Sequence, residues 1–201
     1  MKKYSEVKIL PFKNLTGISE KSISFHHDKL YAGYVAKWEE IQSKLGAVDK
    51  SSANASFSEL RELKVEESFT SNAIVLHEAY FDILGGNGEI EGEVLELIEK
   101  DFGSFEKWLE DFKAIGLCSR GWVVLGYDFN DGKLKNFLLD AHNLYGVWGA
   151  SPILVLDMYE HAYFIDFGSD KKSYIEIFFQ NLNWQVINKK FKKITTSNKS
   201  I

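Results

Sequence analysis

The hydrophobic period of this chain changes near Gly121, and that change sets the class of fold it can adopt. Before it, apolar residues return every three or four positions, the mark of helices buried along one side; after it they form short blocks ended by turn residues. Ser19 or its neighbours can cap a first helix running to about Leu45, with Phe25, Leu30, Tyr34, Val35, Trp38 and Ile41 near helical period and Gly46 past its end. A polar stretch leads through Leu60–Leu63 into a second helix, Glu66–Leu84, which Gly85-Gly86-Asn87-Gly88 stops. That glycine run is the expected domain boundary, giving an N-terminal helical hairpin domain (1–88) and a C-terminal α/β domain (89–201).

Two shorter helices follow, Glu91–Phe102 and Phe105–Ile115, the latter capped by Ser104. Gly121–Phe129 and Lys133–Asp140 then read as a hairpin around Asn130-Asp131-Gly132, where Asp-Gly supplies the positive dihedrals a tight turn needs. Ile153–Asp157 is the expected third strand, and Tyr174–Phe191 a closing helix with a basic, solvated tail. The fold class is therefore α+β: a long α-hairpin, then helices around a small three-stranded antiparallel sheet.

Composition narrows the partners. A net charge of -5 leaves no general basic surface for nucleic acid, so none is expected as a partner. Cys118 is the sole cysteine, which excludes an intramolecular disulfide and a cysteine-based zinc site. By default it is a small buried hydrophobe. No run reaches membrane-spanning length and the first residues do not resemble a signal peptide, so the expected compartment is the cytoplasm, away from membranes.

The candidate chemistry sits at the end of the apolar run Pro152–Leu156, where Asp157 and His161 leave a strand four residues apart. Histidine is scarce, with five in all: His26-His27 and His77 lie on the two long helices, and His142 follows the hairpin. His26, His77, Asp157 and His161 together offer three imidazoles and a carboxylate. That donor set suits iron, manganese or zinc rather than calcium or magnesium, and it leaves room for a bound water. Against this stands the plainer reading, in which a histidine on an apolar helix face is a core residue with a hydrogen-bond partner. His27 points about a quarter-turn from His26, toward a surface or interface. Tyr34, Trp122, Tyr159, Tyr163 and Trp184 are core aromatics on composition alone, and Lys29 and Lys171 are solvated charges.

Phe25-His26-His27-Asp28-Lys29-Leu30-Tyr31-Ala32-Gly33-Tyr34, the later His77, Gly121-Trp122 before a hairpin, and Asp157-Met158-Tyr159-Glu160-His161-Ala162-Tyr163 resemble the iron/manganese superoxide dismutase family from about Ser19 to Asn188. The resemblance implies dismutation of two superoxide ions to dioxygen and hydrogen peroxide at one iron or manganese ion per chain. It implies His26, His77, Asp157 and His161 as the metal ligands, with solvent as a fifth in a trigonal-bipyramidal arrangement. Tyr34 matches a gateway tyrosine, Trp122 and Tyr159 match pocket walls, Tyr80 and Phe81 match aromatics after the second ligand, and Lys29 and Lys171 match basic positions near the substrate funnel. Glu160 and Tyr163 match interface residues of a homodimer, with a tetramer left open.

Three positions depart from the family pattern. Leu30 stands where a histidine is usual, so a proton relay through that residue is not expected. Tyr159 stands where tryptophan is usual. The usual outer-sphere glutamine is absent: Ala73 is too short to reach the site from the ligand helix, and His142 is the expected replacement, tuning a proton step together with Tyr34. Two rivals remain at this stage. One is a zinc-type metallohydrolase using the same four ligands, which redox-inert zinc would reveal on metal analysis. The other is a catalytically impaired dimeric member of the family.

Overall fold

The computed structural model describes residues 4–197. Helix α1 is one continuous rod in three stretches: α-helical Glu20–Ser24, π-helical Phe25–Tyr31 and α-helical Ala32–Ala47. Ser19 caps it as expected, its hydroxyl accepting from the Ser22 amide at 3.1 Å. The π stretch was not legible from the apolar period. It is marked by the Ala32 amide donating to the His27 carbonyl, five residues back. Helix α2, Glu59–Asp82, starts earlier than the pattern indicates because the Ser58 hydroxyl accepts from the Arg61 amide at 3.3 Å. It packs along α1 as the second arm of the hairpin.

Helices α3 (Glu93–Phe102) and α4 (Phe105–Cys118) follow, α4 capped by Ser104. Strands β1 (Trp122–Asp128), β2 (Lys133–Leu139) and β3 (Ala150–Asp157) form an antiparallel sheet in the order β2-β1-β3. Its register sets Trp122 opposite both Leu139 and Asp157. One end of the sheet therefore delivers Trp122, the close of β2 and Asp157 to the same place. Central β1 is buried for nearly its whole length, so the sheet sits inside the core with α2 against β3 and α4 against β1 and β2. Trp108, Phe112, Trp122, Leu125, Tyr174 and Phe178 are among its fully buried side chains.

Beyond helix α5 (Glu160–Phe167), the closing helix expected over Tyr174–Phe191 is in fact two, α6 (Lys171–Gln180) and α7 (Trp184–Ser197). The break at Asn181-Leu182-Asn183 has a packing cause. Asn181 spends its side-chain amide on the Thr16 and Ile177 carbonyls, each at 2.8 Å, and the Asn183 amide donates to the Ile83 carbonyl at 2.8 Å. Gly86 makes this approach possible, since a Cβ there would meet the Leu182 carbonyl oxygen at 2.2 Å. The basic tail expected after Phe191 is helical as far as Ser197, and residues 198–201 lie outside the described residues. Cys118 is exposed at the end of α4, contrary to its expected burial. His27 is buried rather than at the surface, because Nε2 reaches the Lys8 carbonyl at 2.7 Å and the N-terminal segment covers it.

Candidate metal centre

Four side chains from four elements meet where β3 ends. His26 comes from the π stretch of α1, His77 from α2, Asp157 from the last position of β3 and His161 from the first turn of α5. One ligand atom from each lies within 4.8 Å of the others. Nε2 of His26 and Nε2 of His161 both sit 3.0 Å from Asp157 Oδ2, with His77 Nε2 at 3.7 Å. The other carboxylate oxygen, Oδ1, accepts from the Tyr159 amide at 2.9 Å, which holds the group in place at the strand end.

The chemistry of the donors tests whether a metal fits. Nδ1 of His77 donates to the Ala73 carbonyl at 2.7 Å, so the neutral ring keeps its proton there and turns a bare lone pair on Nε2 toward the cluster. That Nε2 is fully buried and has no hydrogen-bond partner. A buried acceptor left in this way is costly unless a cation meets it. Burial pushes the His26 and His77 imidazoles below their ordinary range, which favours the neutral, metal-binding form. Burial would raise Asp157, but the charges and hydrogen bonds of His161 and His26 overcome it and hold the carboxyl well below the usual range. His161 moves the opposite way from the other two: burial lowers it, and its contact with Asp157 more than offsets that. The cluster thus holds an anion and three imidazole nitrogens turned inward, a donor set that a metal ion fits.

A second layer of hydrogen bonds runs alongside. Trp122 Nε1 donates to His142 Nδ1 at 2.9 Å, and His142 Nε2 stands 3.1 Å from the Tyr34 hydroxyl. Because an indole nitrogen only donates, Nδ1 must be the acceptor, and neutral His142 carries its proton on Nε2 and donates it to Tyr34. Burial lowers His142 to about 4 and also raises the Tyr34 hydroxyl, with Asp157 adding to the latter. Aromatic rings wall the cluster. Trp122 meets His77 edge-on at 5.0 Å, Tyr159 stacks on His161 at 5.3 Å, and Tyr80 and Phe81 lie 5.2 and 4.9 Å from His26. Phe69, which the sequence reading passed over, packs on His142 at 4.5 Å. Its signal was available, since Phe69, Ala73 and His77 stand four apart on one face of α2.

The remaining expected residues are more dispersed. Lys29 is exposed, and half-buried Lys171 donates to the Ser119 carbonyl at 3.0 Å. Leu30 is half-buried, Glu160 is exposed, and Tyr163 is buried with its ring 5.4 Å from Tyr174.

Residues 90–190 match the family model of the iron/manganese superoxide dismutases, C-terminal domain. Over a longer span the chain is 45% identical across 186 residues to a superoxide dismutase (Fe) of Aquifex aeolicus, covering 90% of this chain and 87% of that one. The chain belongs to the iron/manganese superoxide dismutase family. Other members of the family that it resembles are a superoxide dismutase (Fe) of Cupriavidus metallidurans, 41% identical over 85% of this chain and 87% of the relative, and a superoxide dismutase (Mn) of Halobacterium salinarum, 30% identical over 88% of each. The relatives thus include both metals, and each match is too long to lie within residues 90–190 alone.

Proposed function

We infer that this chain is a superoxide dismutase and that His26, His77, Asp157 and His161 hold its single iron or manganese ion. The observation that carries the assignment is the buried, unpartnered Nε2 of His77 facing Asp157 and two further imidazole nitrogens. When bound, the ion supplies the one-electron exchange that takes two superoxide ions and two protons to dioxygen and hydrogen peroxide. The rest is done by side chains. Asp157 contributes negative charge, which favours the more oxidised state of whatever ion the site binds. Its backbone-fixed carboxylate and the Ala73 bond to His77 hold two of the donors rigid. The rings of Trp122, Tyr159, Tyr80 and Phe81 exclude bulk water. Tyr34 accepts a hydrogen bond from His142 Nε2 and so keeps its own hydroxyl proton free to donate toward the cluster. Lys29 and Lys171 supply local positive charge for an anionic substrate on a chain of net charge -5.

The same reading divides the chain at the glycine run into an N-terminal hairpin domain (1–88) and a C-terminal domain (89–201). The matched family segment, which begins at residue 90, supports that division. It takes the protein to be a homodimer with Glu160 and Tyr163 at the two-fold axis, where Glu160 of one copy orients the ligand histidine of the other. It places the protein in the cytoplasm. Among the described residues no helix is long and apolar enough to cross a membrane.

Metal analysis with separate iron, manganese and zinc reconstitution tests the assignment. Dismutase activity is expected with iron or manganese and absent with zinc, and His77→Ala should lose stoichiometric metal. Full metal content in His77→Ala, or activity carried by zinc, would refute it.

A further inference from the structure

The N-terminal segment is tied to the ligand helices through one residue. The Lys8 amide donates to the Tyr31 hydroxyl at 3.1 Å, and the Lys8 carbonyl accepts from His27 Nε2 at 2.7 Å. Both bonds fall on the π stretch that carries His26, where the Ala32 amide reaches back to the His27 carbonyl. Such bonding is rare in helices, and here Lys8 grips it from outside.

The circuit then crosses to α2. The Tyr31 hydroxyl donates to Glu78 Oε1 at 3.1 Å, and the Lys8 ammonium stands 2.8 Å from Glu78 Oε2. Glu78 directly follows His77 but leaves α2 about 100° away from it, and its carboxylate is not part of the metal cluster. It is only 3% exposed, and Tyr31 only 1%. A carboxylate this deeply buried is costly unless its charge and lone pairs are met, and Lys8 and Tyr31 meet them.

Phe81 fills the inside of the circuit, with its ring 4.9 Å from His26, 5.2 Å from His27 and 6.1 Å from Tyr31. Tyr31 in turn lies 6.3 Å from His77, the two rings 22° from parallel. The void left among Lys8, His27, Tyr31, Glu78 and Phe81 is about 10 Å3, room for one water at most. Nothing in this region can shift without disturbing a ring that touches a cluster histidine.

We propose that Lys8, Tyr31 and Glu78 are positioning residues, which lock the π stretch onto α2 and so set the spacing of His26 and His77 before an ion binds. This rests on the assignment of those two histidines as ligands. His77 is oriented within its own helix by the Ala73 carbonyl, and Asp157 by the Tyr159 amide. What those bonds leave free is the distance between α1 and α2, and the Tyr31–Glu78 bond spans it. An ion held by both helices leaves only when they part, so the circuit slows its release and fixes the angles of its ligands.

The test is release of the loaded ion, iron or manganese, from the full chain into excess chelator, with the electron paramagnetic resonance spectrum of the bound ion recorded alongside. Tyr31→Phe keeps the ring and removes the hydroxyl. It should release the ion roughly ten-fold faster or more, the scale on which outer-shell partners act, and its spectrum should change. Glu78→Ala should behave in the same way, whereas Glu78→Gln keeps an oxygen to accept from Tyr31 and should stay close to native. Should Glu78→Ala fail to fold, Tyr31→Phe decides alone. Native release from Tyr31→Phe overturns the proposal. Faster release with an unaltered spectrum also overturns it, and assigns the circuit to general stability. Failure of the ligand assignment looks different: the native chain loads neither ion to one per chain, or His77→Ala keeps it.

Discussion

Trp122 decides the tautomer of His142. With its indole N–H held on Nδ1 at 2.9 Å, the imidazole has a single direction in which to donate, toward Tyr34. Trp122 is thus more than a wall of the pocket: it sets the polarity of the hydrogen bonds that reach the tyrosine. Trp122→Phe keeps the ring and removes the donor. Metal content should hold near native while turnover falls roughly ten- to a hundred-fold, the usual cost of losing an outer-shell partner. Nitrogen-15 spectra of the metal-free protein should show His142 passing from one tautomer to a mixture. A variant that keeps the single Nε2–H form would contradict this.

Because burial takes His142 from an ordinary 6.5 down to about 4, its contribution to stability has a definite sign. Above pH 6.5 neither folded nor unfolded ring binds a proton; between 6.5 and 4 the unfolded ring does and the folded one does not. Stability is therefore present above that window and lost as pH falls through it. Urea midpoints of the metal-free protein at pH 7 and pH 5 should show the native chain losing up to about 2 kcal/mol more than His142→Gln. Equal losses in the two proteins would show that His142 is not the group responsible.

Steering by local cations has its own signature. Lys171→Glu and Lys29→Glu should each lower kcat/KM several-fold at low salt and flatten its dependence on ionic strength, because screening removes what the lysines supply. The decisive comparison is the rate at about 0.01 M against about 0.15 M salt, where the Debye length falls from roughly 30 to 8 Å. An unchanged salt slope in both variants would remove them from the substrate's path.

Trp108 anchors the core far from the ligands, fully buried, with Nε1 donating to Asn136 at 3.0 Å. Trp108→Ala should cost about 3–5 kcal/mol of folding free energy, through lost burial and the cavity left behind. Guanidinium unfolding of the native and variant proteins gives the figure directly. A loss under 1 kcal/mol would mean that the site collapses around the smaller side chain.

Much of this architecture is legible in the sequence because its signals are local. Ser19 and Ser104 cap the helices they were expected to cap, and Gly132 supplies a positive φ of 70° in the hairpin turn, which Asp131 does not share. The carboxylate at the end of an apolar strand lies beside the histidine four residues later. What escaped is set by contacts between distant segments. The break at Asn181 depends on Thr16 and on the close approach of Gly86, and the burial of His27 depends on Lys8. The π stretch keeps the apolar face of an ordinary helix and differs only in its hydrogen bonds, which leave no mark on the period. For Trp122 the residue was singled out but its bond was not, since the partner stands twenty positions away across the end of the sheet.

The ligand set is split along the chain, with His26 and His77 on the first two helices and Asp157 and His161 around the end of β3. A nascent chain that has emerged only through the α-hairpin therefore presents two of the four cluster side chains, both imidazoles, without Asp157. On the proposed assignment, the order of synthesis ties metal capture to completion of the sheet.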